Sequence, residues 1–261
     1  MASSSVLLPD ERRRLIAQRL REHGSVAVAE LEARFGISAM TARRDLITLE
    51  RQGIARRTHG GAVLPGLSGD EDSFHQRLQT DVDAKQRLAA AAVAEVAPGE
   101  AVFVDSSTTS YFASRLIVHQ NLRCTLLTNS VPIMELVTEI EASQVEVIGI
   151  GGMLRKLTRS FVGPQAVHAI ASHAADRALF SVRGVTEDGQ LTDPDPLEAE
   201  IKRCMIASAR RPVLLVDGSK FERSALAVIG HVRDVSMVFA ADLPQSALEA
   251  FAHADVDVRS V

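Results

Sequence analysis

The stretch Ile37-Ser-Ala-Met-Thr-Ala-Arg-Arg-Asp-Leu-Ile-Thr-Leu49 decides how the rest of the chain is read. Ser38 is placed to accept a backbone N–H as the cap of a helix. Ala42, Leu46 and Leu49 then recur at i, i+4 and i+7, one face of that helix, which must pack on something. Thr41, Arg43 and Arg44 are rotated away from that face. Short polar and guanidinium groups in the first two turns suit a helix that enters the DNA major groove by its N-terminal end. An ordinary amphipathic helix with a solvated charged face has the same pattern, so the flanking sequence has to decide.

Upstream, residues 10–22 predict a helix that opens on Asp10 and Glu11, runs through Arg12, Arg13 and Arg14, and has Leu15, Ile16 and Leu20 as its apolar side. His23-Gly24 stops it, and Ser25-Val26 is a short extended link. Ala29–Phe35 predicts a second, shorter helix with Leu31 and Phe35 at i, i+4, ended by Gly36. A short helix, a turn containing glycine and a longer helix make the helix-turn-helix layout. The third helix is expected to end at Gly53. Ile54 to Val63 reads as two short strands around a glycine turn, with Arg56, Arg57 and His59 at the tip. Such a wing can lie along the phosphate backbone or reach the minor groove.

The bulk numbers set the frame. A chain of 261 residues suggests one large or two modest domains. With 46% hydrophobic and 24% charged residues it has ample core and an ordinary soluble surface, which excludes disorder as the main state. No apolar run approaches a membrane span, and the N-terminus lacks the pattern of a signal peptide. Cys124 and Cys204 make neither a disulfide framework nor a zinc spacing, so a cytoplasmic protein without metal or cofactor is expected. The net charge of −4 is uneven: residues 1–64 carry +4 and the remainder −8. A basic segment on an acidic body points to a polyanion partner for the first part alone.

At this point a resemblance becomes specific. Ser38-Ala-Met-Thr-Ala-Arg-Arg-Asp-Leu46 followed by Arg57-Thr-His-Gly-Gly-Ala62 resembles the N-terminal winged helix of DeoR-family bacterial transcriptional regulators. With it, Ser38, Thr41, Arg43, Arg44, Arg56, Arg57 and His59 are the expected DNA-binding residues, and double-stranded operator DNA is the expected partner.

Pro65 to Ser73 is rich in glycine, proline and acid and reads as a linker. An Ala-rich helix is expected over 83–96. Beyond it, apolar strands (Ala101–Val104, Thr125–Thr128, Val145–Ile150, Arg177–Phe180, Val213–Val216 and Met237–Ala240) alternate with helical stretches near 109–118, 131–140, 164–171, 196–209 and 244–252. That alternation predicts a mainly parallel sheet with helices on both faces, whose ligands bind at the carboxyl ends of the strands. The expected organisation is a winged helix-turn-helix domain over 1–64, a linker over 65–73 and a Rossmann-like α/β domain over 74–261 for effector binding and oligomerisation.

The loops after the strands carry the ligand chemistry. Asp105-Ser106-Ser107-Thr108-Thr109-Ser110 places consecutive hydroxyls at a strand-to-helix turn, where the helix N-terminus suits an anion. A helix cap with spare hydroxyls is the plainer reading of the same residues. Asn129 and Ser130 follow the next strand, and Ser130 also fits as a cap. Gly151-Gly152 allow close approach of backbone to a ligand, or simply a tight turn. Lys220, in Asp217-Gly-Ser-Lys-Phe221, can reach a phosphate or a sugar hydroxyl. Glu198 is the third residue of a helix capped by Asp195, in position to close a capping arrangement.

These loops again resemble the C-terminal half of the DeoR family, on Asp105-Ser-x-Thr-Thr109, Thr128-Asn-Ser130, Gly151-Gly152, Leu191-Thr192, Glu198-Ala199 with Lys202, and Asp217-Gly-Ser-Lys-Phe221. The resemblance implies a sensor domain similar to ribose-5-phosphate isomerase and glucosamine-6-phosphate deaminase, and a repressor of carbohydrate-utilisation genes controlled by a phosphorylated sugar or a related metabolite. Two residues depart from the family pattern. Ser107 stands where glycine is frequent. Phe180-Ser-Val-Arg183-Gly-Val185 replaces a Gly-Ala-x-Gly pattern, and Arg183 either binds a second anionic group or fills the pocket. The rival reading is a sugar-phosphate isomerase or deaminase with an accessory DNA-binding domain, since Asp105, Glu198, Asp217 and Lys220 are groups such chemistry uses. The winged helix favours a regulator without catalytic residues, working as a homo-dimer or homo-tetramer.

Overall fold

Helical and extended periodicities alternate along the chain, and the computed structural model resolves that alternation into two compact units, Met1–Glu71 and Asp72–Val261. The structure describes residues 9–23, 25–51, 54–58, 60–63, 72–140, 143–221, 223–244, 247, 251 and 256–261.

In the first unit α1 (Pro9–His23), β1 (Ser25–Ala27), α2 (Val28–Phe35), α3 (Ala39–Arg51), β2 (Arg56–Thr58) and β3 (Gly61–Val63) follow in order. The strands make an antiparallel sheet in the order β1-β3-β2. Ser25-Val26, expected only as an extended link, is thus a strand of the wing sheet. Ile16, Leu20, Val26, Leu31, Ala42, Leu46, Leu49 and Ala62 form one buried core. The wing glycine Gly61 is fixed by space: a Cβ there would lie 2.0 Å from the Val26 carbonyl oxygen.

The second unit begins with α4 (Phe74–Leu78) and α5 (Val82–Ala94). It continues through β4 (Ala101–Val104), α6 (Thr108–His119), β5 (Cys124–Thr128), α7 (Val131–Thr138) and β6 (Val145–Gly149). The hairpin β7 (Met153–Arg155) and β8 (Ser160–Val162) leads to α8 (Pro164–Ala171), β9 (Ala175–Phe180), β10 (Gly184–Val185) and β11 (Gln190–Asp193). The described part closes with α9 (Pro196–Ala207), β12 (Ala209–Asp217), β13 (Ala227–His231), β14 (Met237–Ala241) and β15 (Asp257–Ser260). The fold class is α/β, a winged helix-turn-helix unit followed by a Rossmann-like parallel sheet.

Seven parallel strands run in the order β15-β14-β12-β9-β4-β5-β6. Side chains alternate across it with period two. Val102, Val104, Leu126, Leu179, Val213 and Leu215 face α5, α6 and α7. Phe103, Leu127 and Ala178 face the other way, with Ile170 of α8 and Ile201 and Met205 of α9. Burial on both faces is why these strands read as near-continuous apolar runs. Strand order reverses between β4 and β9, the topological switch point at which such sheets open a crevice.

Some elements were not expected from the sequence: the β7–β8 hairpin follows Gly152, and β10, β11 and β13 form a small antiparallel sheet. Residues 65–71 of the expected linker lie outside the described residues. Asp72 and Ser73 belong to the second unit, where the Ser73 hydroxyl caps α4 in a reciprocal bond with Gln76. Gly53 lies outside the described residues, and so does most of the helix expected near 244–252. No helix among the described residues is long and apolar enough to cross a membrane.

Candidate functional site

In the first unit α3 shows two faces. Ala42, Asp45, Leu46 and Leu49 are buried; Arg43 and Arg44 are exposed. The Ser38 hydroxyl accepts from the Thr41 amide at 3.3 Å and lies 3.0 Å from the Thr41 hydroxyl, so it caps the helix. The third polar member of the Arg-Arg-Asp run turns inward. Asp45 accepts from Arg12 Nε of α1 at 2.6 Å, with Arg13 3.5 Å away, and both Arg12 and Asp45 are nearly closed to solvent. The pair fixes α3 against α1. Arg56 and Arg57 lie on β2, paired with β3, but their side chains and the whole of His59 lie outside the described residues.

In the second unit the switch point is built around Asp105. Its amide donates to the Leu179 carbonyl of β9, and its carboxylate accepts from the Ser107 hydroxyl at 2.6 Å and the Ser181 amide at 3.4 Å. Lys202 of α9 donates to the same carboxylate and lies 3.8 Å from Asp193. Burial pushes Lys202 down, but Asp105, Asp193 and Glu198 outweigh it and hold this lysine above its usual value. Ser107 caps α6 by accepting from the Ser110 amide at 3.1 Å. Its φ of −71° is open to any residue, so serine in place of the frequent glycine leaves the turn undistorted. Its hydroxyl is committed to the cap and to Asp105, leaving Thr108 and Thr109 as the first residues of the helix.

Glu198 does not close the capping arrangement expected of it: the Asp195 amide donates to Asp193 instead. The Glu198 carboxylate accepts from Ser106 at 3.0 Å, Thr158 at 2.7 Å and Ser160 at 2.5 Å, joining the loop after β4 to the β7–β8 hairpin. Arg155 reaches the same corner, donating to Asp195 at 3.0 Å and to Thr158 at 3.2 Å. After β5, Asn129 donates to the Phe161 carbonyl at 2.9 Å. Asn129 Oδ1 and Ser130 Oγ are fully buried and have no hydrogen-bond partner among the described residues. Ser130 sits at the head of α7 but makes no cap bond. Buried polar atoms left unpaired are costly, and such atoms in a crevice call for a ligand or a solvent partner.

A second cluster lies at the end of β12. Lys220 is 3.4 Å from Asp217 and donates to the Ser219 hydroxyl at 3.0 Å. Burial lowers the Lys220 pKa, Asp217 opposes this, and Arg183 lowers it further. Lys85, in the first turn of α5 and nearly closed to solvent, donates to the Arg77 and Thr80 carbonyls. Burial, with Lys220 next, pushes Lys85 down to about 8. Burial is the leading cause for both lysines, and Lys220 adds to it at Lys85 as Arg183 does at Lys220. Arg183 extends from the loop after β9 to Asp72 at 3.0 Å.

Of the expected effector residues, Asp105, Ser106, Ser107 and Glu198 share one bonded network, and Thr108, Thr109, Asn129 and Ser130 are buried at the same edge of the sheet. Lys220 and Arg183 belong to the second cluster. Gly151 and Gly152 are exposed, and a Cβ on Gly152 would come within 2.7 Å of the Val162 carbonyl oxygen, so this glycine serves the approach of β8. Sequence reading missed Lys85, Thr158, Ser160 and Asp193. For Lys85 a signal existed: it falls on the stripe of α5 that carries Leu88, Ala89 and Ala92, a core phase where lysine is out of place.

The sequence matches the DeoR-like helix-turn-helix domain over residues 12–66 and the DeoR C terminal sensor domain over residues 80–241. It is 34% identical to the putative aga operon transcriptional repressor of Escherichia coli O157:H7, covering 95% of this chain and 92% of that protein. It is 32% identical to the glycerol-3-phosphate regulon repressor of Escherichia coli K12, covering 86% and 87%. The L-fucose operon activator of Haemophilus influenzae is 29% identical, covering 86% and 89%.

Proposed function

The chain belongs to the DeoR family of transcriptional regulators, and on that premise we propose that it represses carbohydrate-utilisation genes under the control of a phosphorylated sugar. The observation that carries the reading is the union, in one chain, of an exposed Arg43-Arg44 helix and a unit that buries hydroxyls at the switch point and holds Lys85 and Lys220 near the end of β12. The chain is a regulator rather than an enzyme, since relatives matching most of its length are transcriptional repressors.

In this reading α3 lies in the major groove, with Thr41, Arg43 and Arg44 at the bases. Ser38, Arg56, Arg57 and His59 grip phosphates. A bidentate arginine–guanine contact is worth about 1–3 kcal/mol of discrimination. A single small basic unit binds weakly, so dimers or tetramers on repeated half-sites are expected, spaced about 10–10.5 bp or a multiple for a two-fold dimer. The protein works in the cytoplasm, where its DNA is.

The effector's phosphate sits at the N-terminus of α6 by Thr108 and Thr109, with Lys220 and Lys85 supplying charge. Asn129 Oδ1 and Ser130 Oγ, without a hydrogen-bond partner among the described residues, take its hydroxyls. Arg183 takes a second anionic group in exchange for Asp72. Asp72 is the first residue of the second unit, next in sequence to the segment that leads to the DNA-binding unit. Control then requires only that the effector bind the DNA-competent and incompetent states unequally.

The test is a gel shift on the DNA upstream of the gene, titrated with pentose, hexose and triose phosphates. One phosphate is expected to release the DNA. If none changes binding at any concentration, the effector half of the reading is wrong; an increase in binding would reverse its sign. Turnover of any of these sugars at ordinary enzymatic rates would refute the regulator-only assignment.

A further inference from the structure

Residues 40, 43, 44 and 47 share one stripe of α3, opposite the buried Ala42, Leu46 and Leu49. Arg43 and Arg44 are exposed on it and Ile47 is partly buried. Met40, the second residue of the helix, is 66% exposed, the largest exposure of any big apolar side chain described in the first unit. Folding gives it no role, because the core of this unit closes without it. A single exposed apolar residue is ordinary. This one is set apart by place, at the end of the helix that leads into the groove and one turn from both arginines. The one protruding apolar group on the floor of the major groove is the C5 methyl of thymine. A flexible thioether flanked by guanidinium groups has its chemical match there.

We propose that Met40 is a specificity-determining residue, packing its side chain on the C5 methyl of a thymine in each operator half-site, beside the base pair read by Arg43 or Arg44. This rests on the assignment of α3 as the DNA-reading helix and adds a base identity to it.

The experiment uses the full-length protein and duplexes it selects from a random pool. Each thymine of the half-site is replaced in turn by deoxyuridine, which removes the methyl group and leaves every hydrogen-bonding edge in place. Burying one methyl corresponds to about three- to tenfold in affinity. Wild-type protein is expected to lose about that factor at one thymine per half-site, and Met40→Ala to bind the thymine and uracil duplexes equally. Met40→Leu, which keeps the apolar reach, should restore much of the preference. An unchanged thymine-to-uracil ratio in Met40→Ala overturns the proposal, as does a wild-type protein indifferent to every uracil. Arg43→Ala and Arg44→Ala, run in parallel, separate this failure from that of the helix assignment. If they lose sequence discrimination while uracil has no effect, Met40 alone is wrongly placed; if neither variant loses discrimination, α3 is not the reading helix. Met40 is exposed, so its variants should melt with the wild type.

Discussion

Asp72 and Arg183 form an ion pair of 3.0 Å that links the first residue of the second unit to the loop after β9. Both side chains keep solvent contact, 31% and 21%, so the pair is worth no more than about 1 kcal/mol and an incoming anion can displace it. Asp72→Asn removes the competitor for Arg183, and tighter effector binding, by about two- to fivefold, is expected in calorimetric titration. Arg183→Gln should weaken it by a comparable or larger factor. Unchanged affinity in Arg183→Gln would mean the arginine stands outside the site.

The buried pair Arg12–Asp45 is of another kind. Its side chains are only 7% and 4% exposed, so removing Asp45 takes a buried carboxylate away from a buried guanidinium. Asp45→Ala should destabilise the N-terminal unit by about 3–5 kcal/mol. Arg12→Met with Asp45→Leu should recover much of that loss, because apolar replacements of a buried pair are often tolerated. Chemical denaturation followed through that unit's transition checks both. A loss below about 1 kcal/mol in the single variant would show that the aspartate is not the anchor of α3.

Lys202 makes the matching prediction for the sensor unit. Lys202→Met takes the buried ammonium away from the Asp105 and Asp193 carboxylates, and a loss of about 3–5 kcal/mol is expected by denaturation. Lys202→Met with Asp105→Asn should recover part of it. Effector affinity should fall in the single variant as well, because Asp105 orients the Ser107 cap at the head of α6.

How far these features were legible follows from range. Period and punctuation are local, so the helix ending at Gly36, the Ser38 cap and the six long strands could be read from neighbouring residues. The β7–β8 hairpin could not, since three-residue strands carry almost no periodic signal and this one is defined by pairing of Met153 with Val162. The candidate site divides in the same way. Asp105 to Thr109 lie on one loop, so their grouping could be read from the sequence. Lys202 meets Asp105 only because α9 packs across the sheet, and Glu198 meets Thr158 only because the hairpin folds over it. Asp45 misleads for a related reason: it sits in a basic, outward-looking motif, and only the partner on α1 reveals that it turns inward.

If the proposed effector site takes an anion beside Lys85, this lysine is expected to set the pH dependence of binding. Burial, with Lys220 second, pushes it down to about 8 from an ordinary value of 10.5. Between those two values the folded protein holds fewer protons than the unfolded chain, so stability rises with pH across that window. Below about pH 8 both states are protonated and the cost of the buried ammonium is felt in full. Binding of an anion runs the opposite way. It favours the charged lysine, so effector affinity should be level below about pH 8 and fall above it, by up to about tenfold per unit. The second ionisation of a phosphate ester, near pH 6, is complete by then and does not confuse the window. Calorimetry at pH 8 in buffers of different ionisation heat should show proton uptake on binding. Lys85→Met should abolish most of that uptake, weaken binding at pH 7 and raise stability there. Affinity independent of pH from 7 to 10 would place the phosphate away from Lys85.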